Sequence, residues 1–119
     1  TAGLAFGGGY PNTTATEEYN GTAWTGGGNM NSARRRLAGA GIQTAALGFG
    51  GYSPVTAATE EYDGSSWTNS GNLNTARQYL AGGGTVAAGL AFGGGSTPTK
   101  NATEEFTGPG STITTVTTS

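Results

Sequence analysis

The chain of 119 residues contains 24 glycines and 21 threonines, lacks cysteine and histidine, and carries a formal net charge of −2 from seven acidic and five basic side chains. The missing residue types exclude imidazole bases, thiolate nucleophiles and Cys/His sites for zinc, haem or iron–sulfur clusters. Five basic residues do not make the dense positive patch that nucleic acid requires, and no apolar run is long enough to span a bilayer. An apolar content of 34% predicts one domain with a small core.

Short β segments separated by turn residues fill the first third of the chain. The predicted strands are residues 3–6, 15–19, 23–25 and 36–42. Asn20-Gly21 is typical of a hairpin turn, as is Asp63-Gly64 further along the chain. Because each glycine costs a helix about 1 kcal/mol relative to alanine, we expect almost no helix.

The same pattern then recurs at a nearly constant spacing. The tetrapeptide that begins at Thr16 returns at Thr59 and, with Phe106 in place of the tyrosine, at Thr103; the offsets are 43 and 44 residues. A repeat of this length with four short strands is typical of one blade of a β-propeller. The equivalent positions are Phe6, Phe49 and Phe92; Tyr19, Tyr62 and Phe106; Trp24 and Trp67; Arg34 and Arg77; and the acidic pairs Glu17-Glu18, Glu60-Glu61 and Glu104-Glu105.

The repeat predicts an all-β fold of about 2.75 propeller blades, each made of four antiparallel strands. Residues 1–33 form a first blade without its inner strand, 34–76 a second blade, and 77–119 a third. The third copy has no tryptophan after Phe106 and continues into a threonine-rich tail. We expect this tail to be either the outer strand of the third blade or an exit segment.

The order of residues within one repeat resembles the kelch motif. Gly50-Gly51 ends one strand, Tyr62 follows about ten residues later, then Trp67, and Arg77 opens the next blade. The resemblance covers nearly the whole chain and implies a kelch-like propeller, similar to the central domain of the galactose oxidases. The copper site of those enzymes needs histidines and a Tyr–Cys cross-link, and this chain has neither histidine nor cysteine, so we expect no cofactor.

The acidic pairs are the first candidates for chemistry, because paired carboxylates can act as acid and base or bind calcium. Neighbouring residues in a strand point to opposite faces, so Glu60 and Glu61 cannot converge on one substrate. One glutamate of each pair shares a face with the following aromatic residue, and Arg34 and Arg77 supply matching cations. We therefore predict buried Arg–Glu pairs instead of catalysis, and we expect the repeated aromatic side chains to form the core between blades.

Arg34-Arg35-Arg36 is the only basic cluster of the chain, and only its first arginine belongs to the repeat. The other two could bind an anion, contact another subunit or face the solvent, and we expect a solvated face.

The loops that differ between copies span residues 10–15, 52–58 and 96–102. They are either simple connectors or a surface that recognises carbohydrate or protein. Their candidate contact residues are Tyr10, Tyr52 and Lys100.

Fewer than three blades cannot close a ring, and an open stack would expose aromatic faces at both ends. The sequence therefore predicts a homo-oligomer, with two copies giving six blades or three giving nine, or a piece of a longer propeller. A tail such as residues 112–119 could supply the missing inner strand to another copy.

These features predict a non-catalytic structural or interaction propeller. The composition, rich in Thr, Gly and Asn and without cysteine, is similar to that of phage tail and surface proteins, so we expect a role in a virion, fibre or cell-surface assembly. The alternative is a carbohydrate-binding, lectin-like propeller.

Overall fold

The computed structural model describes residues 2–52, 54–95, 102–106 and 114–116. For residues 114–116 it describes the backbone only. None of these residues is helical, which agrees with the high glycine content. The described strands are β1 Gly3–Phe6, β2 Thr16–Tyr19, β3 Trp24–Gly26, β4 Ala38–Ile42, β5 Ala45–Phe49, β6 Thr59–Tyr62, β7 Trp67–Ser70, β8 Ala81–Gly84, β9 Gly89–Phe92, β10 Thr103–Phe106 and β11 Thr114–Val116.

The strands form three separate antiparallel sheets that follow the sequence repeat. Blade 1 is β1-β2-β3, blade 2 is β4-β5-β6-β7, and blade 3 has the order β8-β9-β10-β11. The predicted all-β fold of propeller blades is confirmed, and the three blades form a partial β-propeller whose ring is not closed. The segment 114–116 pairs with β10, so of the two alternatives for the tail this part of it is the outer strand of blade 3.

Tight hairpins connect strands at one end of each blade, which we call the hairpin edge (residues 20–23, 43–44, 63–66 and 85–88). The Oδ1 atom of Asn20 accepts hydrogen bonds from the backbone amides of Thr22 and Ala23, both at 2.9 Å. Asp63 accepts the equivalent bonds at 2.8 Å, and these bonds lower the pKa of its carboxyl below the ordinary value. Both turns lie where the Asn-Gly and Asp-Gly pairs predict them.

Longer connections lie at the opposite end, which we call the loop edge (the described residues 7–15, 27–37, 50–52, 54–58 and 71–80). The strand predicted from residue 36 begins two residues later, at Ala38. Arg36 has a φ of +59°, and this left-handed conformation is incompatible with a strand. The prediction that this strand includes residues 36 and 37 was therefore wrong, because the backbone turns at Arg36.

Blades pack by inserting a ring from one blade over a glycine of the next. The Phe6 ring of blade 1 lies over Gly39 of blade 2, where an added Cβ would be 2.5 Å from its Cζ atom. The Phe49 ring of blade 2 lies over Gly82 of blade 3 in the same way. Glycine is required at these two positions because no other residue leaves room for the ring.

Burial of the repeated aromatic residues depends on which blade carries them. Trp67 is 5% exposed and Phe49 is 2% exposed, whereas their equivalents Trp24 and Phe92 are 52% and 41% exposed. The expectation that all of these side chains lie in the core was therefore wrong for Trp24 and Phe92. Each of them faces outward from an end blade, where the described chain provides no further sheet to cover it.

Candidate functional site

Two of the predicted acidic residues are held in buried ion pairs. The Nη2 atom of Arg34 lies 2.9 Å from Oε2 of Glu60, with the two side chains 2% and 0% exposed. The Nη1 atom of Arg34 donates to the backbone carbonyls of Gly50 and Ala58. Each pair thus ties the start of a blade to its second and third strands.

The same arrangement recurs one repeat later. Arg77 pairs with Glu104, again fully buried, and its Nη1 atom donates to the backbone carbonyls of Gly93 and Ala102. The corresponding acid of blade 1, Glu17, is exposed. Burial therefore follows the availability of an arginine.

The remaining glutamates lie on strands and do not cluster. Glu18 accepts a hydrogen bond from Tyr62 and Glu61 accepts one from Ser70, while Glu105 is exposed. Among the described residues there is no group of three or more acidic, histidine or cysteine side chains that could hold a metal ion. The same part of the chain also contains no helix long and apolar enough to cross a membrane.

Blades 1 and 2 meet through specific polar contacts as well as ring packing. The Tyr62 hydroxyl of blade 2 donates to Oε2 of Glu18 in blade 1, and burial together with this carboxylate raises the pKa of Tyr62 above its ordinary value of 10.0. The Trp67 Nε1 atom donates to Oγ1 of Thr16 at 2.9 Å. The ring centres of Trp67 and Phe6 are 4.8 Å apart.

Each of the two outward faces carries the repeat equivalents of one side of this contact between blades 1 and 2. On blade 1, the outward Trp24 face presents Trp24 and Tyr19, whose ring centres are 5.0 Å apart and which are the repeat equivalents of Trp67 and Tyr62. On blade 3, the outward Phe92 face presents the equivalents of Phe6, Thr16 and Glu18, which are Phe92, Thr103 and Glu105.

A groove of about 900 Å³ runs between β1 of blade 1 and β4 of blade 2. Between blades 2 and 3 the innermost strands β4 and β8 lie next to each other. The groove lies along the opposite side of β4, where the inner strand of blade 1 would correspond to β8 of blade 3. In the described chain β1 pairs only with β2, so blade 1 has no inner strand of its own beside this groove.

At the loop edge, three tyrosines and two arginines alternate in a stack that we call the Arg–Tyr ladder: Tyr10, Arg35, Tyr52, Arg36 and Tyr79. The guanidinium carbon of Arg35 lies 4.8 Å from the ring centres of both Tyr10 and Tyr52. That of Arg36 lies 5.1 Å from the centre of Tyr52 and 4.6 Å from that of Tyr79. These distances are within the range of cation–π attraction.

The backbone holds the ladder in place. Arg35 and Tyr52 exchange backbone hydrogen bonds of 2.9 and 2.8 Å, and the Tyr79 amide donates to the Arg36 carbonyl at 2.9 Å. Arg36 and Tyr79, which are 43 residues apart, both adopt left-handed φ angles of +59° and +57°. Such angles are unfavourable for large residues and persist only where the surrounding structure imposes them.

The two ladder arginines have neutral partners only. The Nη1 atom of Arg35 donates to Oδ1 of Asn12 and that of Arg36 donates to Oε1 of Gln78, both at 2.9 Å. Both ion pairs of the described residues belong to the other two arginines. The expectation that Arg35 and Arg36 form a solvated face was wrong: both are half-buried, because the neighbouring tyrosine rings cover the faces of their guanidinium groups.

Comparison with known proteins found a similar fold among solved structures. No protein-family model and no curated protein matches the sequence. Among solved structures, the chain is similar to the structure of YjhT, with a TM-score of 0.75 and 14% sequence identity. The match covers 96% of this chain and 42% of the YjhT chain, so this chain spans less than half the length of YjhT. At this level of identity the likeness shows the fold alone.

Two of the three predicted ligand-loop residues lie in the described structure. Tyr10 and Tyr52 both belong to the Arg–Tyr ladder, although Tyr10 is 88% exposed and Tyr52 is half-buried. Lys100 lies outside the described residues. Sequence reasoning missed Tyr79. The sequence signal for Tyr79 was a break in the repeat, because the second copy has Tyr79 where the first copy has Arg36. The structure shows that both positions have the same backbone conformation.

Proposed function

We propose that this chain is a non-catalytic structural β-propeller module whose outward faces bind further blades of the same kind, so that a ring closes within a virion, fibre or cell-surface assembly. The observation that carries the proposal is the exposure of Trp24 and Phe92, whose repeat equivalents Trp67 and Phe49 are buried between blades. Exposed aromatic faces of this kind mark interaction surfaces.

The two outward faces are complementary to each other. If the Phe92 face met the Trp24 face as blade 1 meets blade 2, the Tyr19 hydroxyl would donate to Glu105 and the Trp24 ring nitrogen would donate to Thr103. Blade 2 makes these two contacts with Glu18 and Thr16. The polar groups on both faces therefore have partners of the correct type for a head-to-tail contact.

Copies of this chain are the proposed source of the further blades. A head-to-tail contact is heterologous and closes when its rotation divides the circle, which gives six blades for two copies and nine for three. The likeness to YjhT, of which this chain spans 42%, makes the remainder of a longer propeller the competing source.

The distribution of acids supports the absence of catalysis. Glu60 and Glu104 are buried in ion pairs, and successive glutamates of a strand lie on opposite faces. Such carboxylates are not placed to act as an acid and base pair on one substrate.

Native mass spectrometry of the chain, with and without Trp24→Arg, tests the proposal. We expect an assembly of two or three times the 11.7 kDa of one chain, and we expect Trp24→Arg to dissociate it, because the substitution places an unpaired charge in the interface. The matched control is Ala87→Arg at the hairpin edge, which changes an exposed side chain that lies outside both outward faces and outside the groove.

A wild-type chain that remains monomeric at all concentrations would overturn ring closure by copies. An assembly that survives Trp24→Arg but not Ala87→Arg would show that the outward faces are not the interface. The carbohydrate-binding alternative rests on a different observation, the Arg–Tyr ladder.

A further inference from the structure

We propose that the Arg–Tyr ladder binds an acidic carbohydrate, specifically an oligosaccharide of uronic acids. This inference deepens the carbohydrate-binding alternative, and it does not depend on ring closure because every residue of the ladder belongs to one chain. The ladder crosses the loop edge from the β1–β2 connection of blade 1 to the linker that precedes β8.

The ladder contains two cations that form no ion pair among the described residues. Arg35 and Arg36 both contact the ring of Tyr52, so two positive charges lie close together in a chain whose net charge is −2. Their side-chain acceptors are the neutral amides of Asn12 and Gln78. Neighbouring like charges repel each other, and a bound anion would offset this repulsion.

The orientation of the arginines determines which groups they can offer. Tyrosine rings cover the faces of each guanidinium, and one Nη atom of each is used by an amide oxygen. Among the described residues, the hydrogen bonds from the two guanidinium groups come from Nη1 alone, and the buried Nε atom of Arg35 has no partner. A stacked guanidinium that keeps free in-plane N–H groups is suited to a planar carboxylate.

The tyrosines favour a sugar backbone as the carrier of the carboxylates. Tyr10 at one end of the ladder is 88% exposed, and Tyr79 at the other end is 65% exposed. Exposed tyrosines offer rigid rings with a polar hydroxyl at low entropic cost on binding. A uronate oligosaccharide presents apolar ring faces and one carboxylate per sugar, which matches a site where cations and aromatic rings alternate.

Isothermal titration with trigalacturonic acid, neutral galactotriose and inorganic phosphate tests the assignment. We expect binding of the uronate trimer that weakens as salt is added, and no binding of the neutral trimer. Arg36→Gln should weaken uronate binding about tenfold or more, since it removes charge-assisted hydrogen bonds. Arg36→Lys should recover only part of the affinity, because lysine lacks the planar fork.

Thr22→Glu provides the matched control. It changes the net charge by the same amount as Arg36→Gln, but at an exposed position on the hairpin edge, and it should leave uronate binding unchanged. Tyr10→Ala is the second test variant: its side chain is almost fully exposed, so the thermal midpoint should not change while uronate binding weakens.

Absence of uronate binding, or equal binding of the neutral trimer, would overturn the proposal. Equal binding of phosphate would also overturn it and would indicate a general anion site. Repeating the titration on Trp24→Arg separates this inference from ring closure, because a monomer that still binds uronate supports the ladder site even where the assembly has failed.

Discussion

The buried ion pair of blade 2 provides the sharpest test of how the repeat is stabilised, because blade 1 contains its unpaired equivalent. We expect Glu60→Gln to destabilise the protein strongly and Glu17→Gln to have little effect. Glu60 is 0% exposed, its Oε2 atom contacts Arg34, and its Oε1 atom accepts the backbone amide of Asn31 at 2.6 Å. Both oxygens therefore face donors.

The expected magnitude follows from these contacts. A glutamine in place of Glu60 turns an NH₂ group towards either Arg34 or the Asn31 amide, and it leaves the guanidinium buried without an anion. Breaking a buried pair in this way costs about 3–5 kcal/mol, a large part of the 5–15 kcal/mol typical of a whole domain. The thermal midpoint should fall by roughly 10–20 °C. Glu17→Gln should change stability by less than about 0.5 kcal/mol.

Urea unfolding followed by tryptophan fluorescence measures both variants, at one fixed protein concentration because assembly would shift the midpoint. A third variant, Arg34→Met combined with Glu60→Leu, should recover only part of the loss. It removes the unpaired buried charge, but the two backbone carbonyls that Arg34 contacts and the Asn31 amide lose their hydrogen-bond partners. The reasoning would be refuted if Glu60→Gln and Glu17→Gln lost the same stability within error.

Three further predictions concern packing and pH. Gly82→Ala should cost about 1–3 kcal/mol in urea unfolding, because the new methyl group overlaps the Phe49 ring; unchanged stability would contradict the ring-over-glycine packing. The raised pKa of Tyr62 means that the neutral phenol is favoured in the folded state, so the contribution of Tyr62 to stability should be constant below about pH 10 and be lost as the pH rises further. Tyr62→Phe, which also removes the bond to Glu18, should abolish that alkaline decline in a pH series of thermal melts. The lowered pKa of Asp63 means that its contribution is present above pH 3.8 and is lost on acidification, and Asp63→Ala should reduce the acid sensitivity of unfolding.

Local features of the fold could be predicted from the sequence because they depend on neighbouring residues. The Asn-Gly and Asp-Gly turns lie where expected, since Asn20 and Asp63 bind amides only two and three residues away. Strand positions followed from the turn residues that separate the short β segments and from the constant repeat. The constant repeat then required three similar sheets, because equivalent sequences fold into equivalent blades.

Burial and the ladder depended on tertiary structure. Trp24 and Trp67 occupy the same position of the repeat, but only Trp67 has a blade on its face, so one sequence position produced both a core residue and an exposed one. Tyr10, Arg35 and Tyr79 come from separate connections of the chain, and no local spacing indicates that they meet. The sequence by itself determined the blades and their turns, because the repeat and short-range hydrogen bonds decide these. The packing of one blade on another decided which aromatic faces remain open and brought the ladder together, because burial depends on what lies on the other side of the sheet.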